Sequence, residues 1–185
     1  MQTTSPFKTR LAVKKIKAGE VIAYPTESVF GLGCDPLNEE AVFNLLALKK
    51  RSVDKGLILI ASSLTQLEPY LQLNSAIASQ IQTALSEPIT WLVPYQTWVP
   101  EWLTGKHSKL AVRVITHPIA KLLCEKNGAP LVSTSANIHT KPPVTQAWMV
   151  SKNLKNEKIF TVPGQVGNLK QVTPIYDILS KQQFR

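Results

Sequence analysis

The sequence predicts an α/β fold in which helices flank a twisted sheet of mixed parallel and antiparallel strands. Short apolar runs typical of buried strands recur along the chain, for example VIAY (21–24), LILIA (57–61), LAVRVI (110–115) and PLVSTS (130–135). Segments with the apolar spacing of helices lie between them, and this alternation is typical of a sheet covered by helices. The pattern leaves the strand order open, as well as which strands run antiparallel.

Each element follows from its own residues. Helical spacing, together with Asn38 as a cap and Gly128 as a stop, predicts helices over 7–18, 39–50 and 117–127. The stretches 64–86 and 144–154 are predicted to be largely helical. Further strands are predicted over 89–93, 158–163 and 174–179. Pro25 ends the first strand, and a loop of hydroxyls and glycines is expected over 26–33.

Composition limits the classes of protein. The 185 residues predict one domain over 1–185, and a hydrophobic content of 44% excludes a disordered chain. We expect a cytoplasmic protein, because no apolar run is long enough to span a membrane, the first residues do not resemble a secretory signal, and Cys34 and Cys124 lie far apart. That separation excludes a CxxC zinc site, and the histidines lack zinc-ligand spacing. The net charge of +9, from 21 basic and 12 acidic residues, favours phosphate-bearing partners such as nucleotides or RNA.

A first candidate site follows the first strand. Thr26 and Ser28 lie where a buried strand ends, and ligands of open α/β sheets bind at such ends. The pair Gly31-x-Gly33 lacks the third glycine of a dinucleotide-binding loop. An ordinary turn, in which the hydroxyls bond only nearby backbone, therefore remains an alternative.

A second candidate is the cationic stretch from Lys49 to Lys55. In an extended segment, Lys49 and Arg51 would project to the same side, and an ammonium beside a guanidinium is a good receptor for a polyphosphate or bicarbonate. A cationic helix C-terminus that balances the helix dipole explains the same residues equally well.

Further candidates lie on later strands. Ser133 and Ser135 share one face of a strand and precede Asn137, although a self-satisfying Ser/Thr or Asx turn is an alternative. Arg113 lies inside an apolar strand, so it needs either a carboxylate ligand or an internal Asp or Glu. Thr173 lies just before Pro174 in the last strand segment.

Together these segments resemble the YrdC/TsaC family of threonylcarbamoyl-adenylate synthases. The resemblance lies, in order along the chain, in VIAYPTESVFGLGCDP, ALKKRSVDKGLILIAS, ITWLVP, WLTGKHSKLAVRV and PLVSTSAN. The family's Lys-x-Arg motif falls on Lys49 and Arg51, and its Ser-x-Asn motif falls on Ser135 and Asn137. The chain is most similar to the short, single-domain bacterial form, although Ser52 stands where the family often has proline.

The resemblance implies a fold with a basic concave face and an enzyme that makes L-threonylcarbamoyl-adenylate and pyrophosphate from L-threonine, bicarbonate and ATP. Partner proteins would then transfer the threonylcarbamoyl group to the tRNA adenosine beside the anticodon. Mg²⁺ is expected to accompany ATP as its counter-ion, and the sequence offers no obvious carboxylate cage for a metal ion. ATP would be held by Lys49, Arg51, Lys55, Ser133, Ser135 and Asn137, with Lys49 and Arg51 catalytic. Threonine would be held by Thr26, Ser28, Arg113 and Thr173.

Two alternatives remain open at this point. A non-catalytic module that binds double-stranded RNA or tRNA is suggested by the basic stretch 8–17, but it would not need hydroxyls near Lys49 and Arg51. The second alternative is a member of the family that has lost catalytic activity and acts as a regulator. The intact Lys-x-Arg and Ser-x-Asn pairs argue against it.

Overall fold

The computed structural model describes residues 5–84, 88–138, 141–169 and 173–184. The helices are α1 (Pro6–Lys17), α2 (Glu39–Lys49), α3 (Leu64–Leu67), α4 (Ser75–Thr83), α5 (Glu101–Thr104), α6 (Pro118–Asn127) and α7 (Met149–Leu154). The strands are β1 (Ile22–Pro25), β2 (Phe30–Gly33), β3 (Ile58–Ala61), β4 (Thr90–Val93), β5 (Leu110–Val114), β6 (Leu131–Ser135), β7 (Phe160–Thr161) and β8 (Ile175–Asp177).

The strands form one mixed sheet in the order β7-β1-β2-β6-β3-β5-β4-β8. The pairs β1–β7, β3–β5 and β4–β8 are parallel, and the other neighbours are antiparallel. The predicted mixed sheet with flanking helices is therefore confirmed. Among the described helices, none combines the length and the apolar character needed to cross a bilayer.

Alternation along the strands separates two cores. Leu59 and Val132 face the larger core, which includes apolar residues of α2, α3, α4 and α7. Ile60 and Leu131, their neighbours in sequence, face a smaller core formed with α1 and α6. Because successive side chains of a strand point to opposite faces, Ser133 lies on the same face as Leu131. The helices α1 and α6 thus lie on the same face of the sheet as the hydroxyls of Ser133 and Ser135.

The segment after Pro25 differs from the predicted loop. Thr26 begins a short turn, closed by a hydrogen bond of 3.0 Å from its amide to the carbonyl of Val29, and the chain then returns as β2. The two glycines make this possible. A Cβ on Gly33 would lie 2.5 Å from the carbonyl oxygen of Val132 and 2.7 Å from the ring of Tyr24. Gly33 therefore serves close packing within the sheet rather than a ligand-binding loop.

Several boundaries also differ. The predicted helix over 64–86 is broken in the described part, since Pro69 lies in a 3-10 turn and residues 71–74 are not helical; residues 85–87 lie outside that part. In the stretch 144–154 only α7 is helical. Lys49 and Arg51 do not lie in one extended segment. Lys49 is the last residue of α2, and Lys50 adopts a left-handed conformation (φ 51°) that redirects the chain.

Candidate functional site

A cavity of about 460 Å³ opens on the sheet face that carries α1 and α6. Segments distant in sequence contribute polar side chains to its wall: Thr26, Ser28, Arg51, Lys55, Thr104, His107, Lys109, Arg113, Ser133, Thr134, Ser135 and Thr173. Apolar residues complete the lining, including Ile58, Leu92, Ala111, Ile175 and Phe184. No Asp or Glu is found among the described lining residues, while four Lys or Arg side chains are. Such a cavity favours an anionic ligand.

Eight of the ten residues predicted to form the site line this one cavity; the exceptions are Lys49 and Asn137. The register explains why residues far apart in sequence meet. Ser135 lies opposite Gly31 of β2, and Ser133 lies opposite Ile58 of β3. A Cβ on Gly31 would lie 3.2 Å from Thr26 and 3.5 Å from the hydroxyl of Ser133, so this glycine leaves room between two hydroxyl residues.

Arg113 is held from two sides. Its Nε and Nη2 donate hydrogen bonds of 3.0 and 2.8 Å to the hydroxyl oxygen of Thr90 on β4. Its Nη1 lies 3.8 Å from Oε2 of Glu27. The sequence left open whether this buried arginine meets a ligand carboxylate or an internal acid; the structure shows an internal acid nearby and also places Arg113 in the cavity wall.

Arg51 is placed by the end of α2. The left-handed Lys50 turns the chain, and Arg51 Nη2 then donates hydrogen bonds of 3.0 Å to the carbonyl of Gly56 and 3.3 Å to that of Lys55. The guanidinium is thereby fixed against the turn that leads into β3. Arg51 and Lys55 both lie in the cavity wall.

Lys49 is not one of the residues that line the cavity. Its side chain is buried, and its Nζ donates hydrogen bonds to the carbonyl of Ser135 and, at 2.6 Å, to that of Asn137. Burial, and secondarily the charge of Arg51, lowers the pKa of this amine to about 8. Asn137 is also turned to the protein, since its Nδ2 donates to the carbonyl of Lys141 at 2.6 Å. These two residues hold the segment after β6 in place.

Comparisons with known proteins identify the family of the chain. The family model of Sua5, YciO and YrdC, described as "Telomere recombination", matches residues 14–184. The chain belongs to this family. The resemblance inferred from the motifs is therefore confirmed.

Relatives of similar length carry a specific name. A protein of Methylococcus capsulatus named threonylcarbamoyl-AMP synthase is 41% identical, with 98% of each chain covered. One of Marinobacter nauticus with the same name is 44% identical, covering 99% of this chain and 98% of its own. A crystal structure of P. abyssi Sua5 complexed with L-threonine matches with a TM-score of 0.85 and 30% identity. It covers 95% of this chain, which spans about half (52%) of that longer protein.

Sequence reasoning missed two groups in this family member. Lys109 lines the cavity and forms an ion pair with Asp177. Burial alone would raise the pKa of Asp177, but hydrogen bonds from Lys109, Ser180 and Leu179 outweigh it and lower the pKa to about 2. Glu27 is the second, a buried acid between two cavity residues. Its position in YPTESVFG, within an apolar and hydroxyl-rich segment, was the available signal.

The side chains of the described residues give no support for a metal centre. The described residues contain no group of three or more His, Cys, Asp or Glu that could hold a metal ion. Of the three histidines, His139 lies outside the described residues, His107 lines the cavity, and His117 is buried, with its backbone amide donating to Glu27. Burial lowers the pKa of His117, although a hydrogen bond to the carbonyl of Gln165 and the charge of Glu27 act in the other direction.

Proposed function

We propose that this chain is a threonylcarbamoyl-AMP synthase, which forms L-threonylcarbamoyl-adenylate, pyrophosphate and water from L-threonine, bicarbonate and ATP. The observation that carries the proposal is the cavity itself. Cations and hydroxyls from five separate parts of the chain line it, with no carboxylate among the described lining residues. The name of full-length relatives at 41–44% identity supports the same reaction.

The nucleotide would occupy the side of the cavity formed by the α2–β3 connection and the end of β6. Arg51 and Lys55 would neutralise its phosphates, and the hydroxyls of Ser133 and Ser135 would bind it. Lys49 and Asn137 act there by holding the segment that carries Ser135. This changes the expected contribution of Lys49 from contact with the phosphates to support of the wall.

Threonine would lie on the other side, near the turn between β1 and β2. Thr26, Ser28 and Thr173 would hydrogen-bond it, and Arg113 would bind its carboxylate. The complex of P. abyssi Sua5 with L-threonine supports an amino-acid site in this fold.

The chemistry requires alignment more than a covalent nucleophile. The threonine amine would add to the carbon of bicarbonate-derived CO₂, forming a carbamate and releasing a proton. A carbamate oxygen would then attack the α-phosphorus of ATP, and the bond to the β-phosphate oxygen would break to release pyrophosphate. Arg51 would stabilise the charge that develops on the leaving pyrophosphate.

Magnesium would enter as part of the substrate MgATP. Protein sites for Mg²⁺ usually add one or two carboxylates to the phosphate oxygens, and the described cavity lining offers none. The ion would therefore keep phosphate and water ligands, and no step of the proposed reaction depends on a protein ligand to it. Transfer proteins and tRNA would use the adenylate after release, and residues 1–185 would act as one domain.

The decisive experiment measures pyrophosphate release from ATP with threonine and bicarbonate, and with each omitted in turn. We expect release to require both, and mass spectrometry to detect threonylcarbamoyl-adenylate. Serine in place of threonine provides a substrate control. If the protein binds tRNA but releases no pyrophosphate under any of these conditions, it is an RNA-binding module and the proposal is wrong.

A further inference from the structure

Glu27 is a buried carboxylate whose two oxygens have different surroundings. Oε1 accepts three hydrogen bonds, from the amide of Thr116 (2.9 Å), the hydroxyl of Thr116 (3.1 Å) and the amide of His117 (3.1 Å). Oε2 is buried, makes no hydrogen bond within the described residues, and lies 3.8 Å from Nη1 of Arg113. The side chain of Glu27 is 9% exposed and that of Arg113 is 10% exposed.

The unequal surroundings of the two oxygens suit a residue that orients the guanidinium of Arg113 without fully neutralising its charge. A buried charge is costly unless it is paired or hydrogen-bonded, and the three donors on Oε1 satisfy that need. A strong guanidinium–carboxylate contact would be about 2.7–2.9 Å long, which is well short of the separation observed. Glu27 therefore attracts the guanidinium through space, while Thr90 binds its opposite edge.

Glu27 also joins the segments around the threonine side of the cavity. Its backbone carbonyl accepts a hydrogen bond of 3.1 Å from the amide of Leu169, and Gly167 packs so closely that a Cβ there would lie 2.7 Å from the same oxygen. Its neighbours Thr26 and Ser28 line the cavity. One residue thus connects the β1–β2 turn, the start of α6, residues 167–169, and Arg113.

We propose that Glu27 is a positioning residue for amino-acid recognition: its free oxygen holds the guanidinium of Arg113 where the carboxylate of the substrate binds. This inference rests on the proposed function, because it assumes that Arg113 binds the carboxylate of threonine. Glu27 itself touches no substrate in this scheme and does not line the cavity.

The test compares Glu27→Gln with wild type in the pyrophosphate assay. The amide can still accept at Oε1 but places an uncharged group beside Arg113. We expect the KM for threonine to rise about tenfold, with less than about a threefold change in the KM for ATP. Glu27→Asp, which keeps the charge, should remain closer to wild type. A Gln variant that retains threonine binding as well as the Asp variant does would overturn the inference.

Thr116→Val is the matched control. It removes one donor to Oε1 but leaves Oε2 and Arg113 in place, so it should lower the melting temperature without changing the ratio of the two KM values. If Thr116→Val shifts that ratio as strongly as Glu27→Gln does, Glu27 has only a structural role.

A double-mutant cycle separates action through Arg113 from a direct effect. In an Arg113→Gln background, Glu27→Gln should alter the threonine KM by less than about twofold, because the group it positions is gone. An undiminished effect in that background, or tighter threonine binding in Glu27→Gln alone, would overturn the inference. Calorimetry of wild type with threonine distinguishes the two proposals. If wild type neither binds threonine nor releases pyrophosphate, the proposed function is refuted. If wild type is active and Glu27→Gln has the same threonine KM, only the role of Glu27 is refuted.

Discussion

The Nζ of Lys49 donates a hydrogen bond of 2.6 Å to the backbone carbonyl of Asn137, which joins the end of α2 to the segment after β6. The carbonyl of Ser135 accepts a second bond from the same amine. The lysine of the Lys-x-Arg motif thus binds the backbone of the Ser-x-Asn motif, whereas Arg51, two residues later, lines the cavity. The two cations of one motif have different structural environments, and we expect different consequences from their removal.

Lys49→Met should weaken ATP binding more than threonine binding. The substitution removes both hydrogen bonds that Nζ donates to the segment that carries Ser135, and it keeps most of the side-chain volume. Leaving these two carbonyls without their donor destabilises the segment, and if about 1.4 kcal/mol of that cost is expressed at the nucleotide side, the Kd for ATP rises about tenfold. Titration calorimetry with ATP and with threonine measures both effects. Lys50→Met, at the adjacent exposed position, is the control and should bind ATP as wild type does.

The stability of the protein should depend on pH through Lys49. In the unfolded chain this amine keeps its proton up to its ordinary pKa of 10.5, but in the folded protein it loses the proton above about 8. Between these values the unfolded state binds more protons, so the contribution of this group to the free energy of unfolding rises with pH. The rise is at most about 1.4 kcal/mol per pH unit.

Urea denaturation of wild type and Lys49→Met at pH 7, 8, 9 and 10 tests this linkage. The stability difference between the two proteins should change little from pH 7 to 8 and then shift in favour of wild type. A constant difference from pH 8 to 10 would show that Lys49 titrates normally in the folded state. Lys50→Met should follow wild type throughout.

Arg51→Ala should reduce the rate of adenylate formation by about 10²–10³, because it removes a fixed positive charge from the part of the cavity where pyrophosphate would depart. The pyrophosphate assay at saturating threonine and bicarbonate measures the loss. Lys106→Ala is the control; this exposed lysine pairs with Asp54 outside the cavity lining and should leave the rate unchanged. A rate for Arg51→Ala within about threefold of wild type would contradict the role assigned to Arg51.

Arg113→Gln should raise the KM for threonine much more than the KM for ATP. The glutamine can still reach a hydrogen-bond partner but lacks the charge that would bind a carboxylate. Since this residue is buried beside Glu27 and Thr90, the melting temperature must be compared first. Arg10→Gln, an exposed substitution on α1, is the matched control. Equal increases in both KM values would reject a contact between Arg113 and the amino-acid carboxylate.

The sequence predicted the elements that have a strong local signal. Asn38 caps α2 as expected, with its Oδ1 accepting from the amide of Ala41 at 2.9 Å, and Gly128 ends α6 in a left-handed conformation. The apolar strands β3 and β5 also lie where predicted, within one residue at each end. Such signals are local, because caps and buried runs depend on neighbouring residues of the chain.

The strand β2 was missed because its glycines have no local preference for a strand. Only the ring of Tyr24 and the carbonyl of Val132 require a residue without a side chain at Gly33. Likewise, Lys49 and Arg51 point in different directions because Lys50 between them has a left-handed conformation. Treating the Lys-x-Arg motif as an extended segment could not predict this.

By itself the sequence determined which chemical groups are present and, through ordered motifs, which family the chain belongs to. Which of those groups share a cavity was decided by the order of the strands, since pairing β6 with both β2 and β3 brings Ser133 and Ser135 beside the β1–β2 turn and the α2–β3 connection. The positions of Glu27 and Lys49 were likewise fixed only by folding, because each buried charge is held by partners about 85–90 residues away in the chain. Contacts between residues so far apart produce no periodic pattern in the sequence, so these positions can be explained only from the tertiary structure.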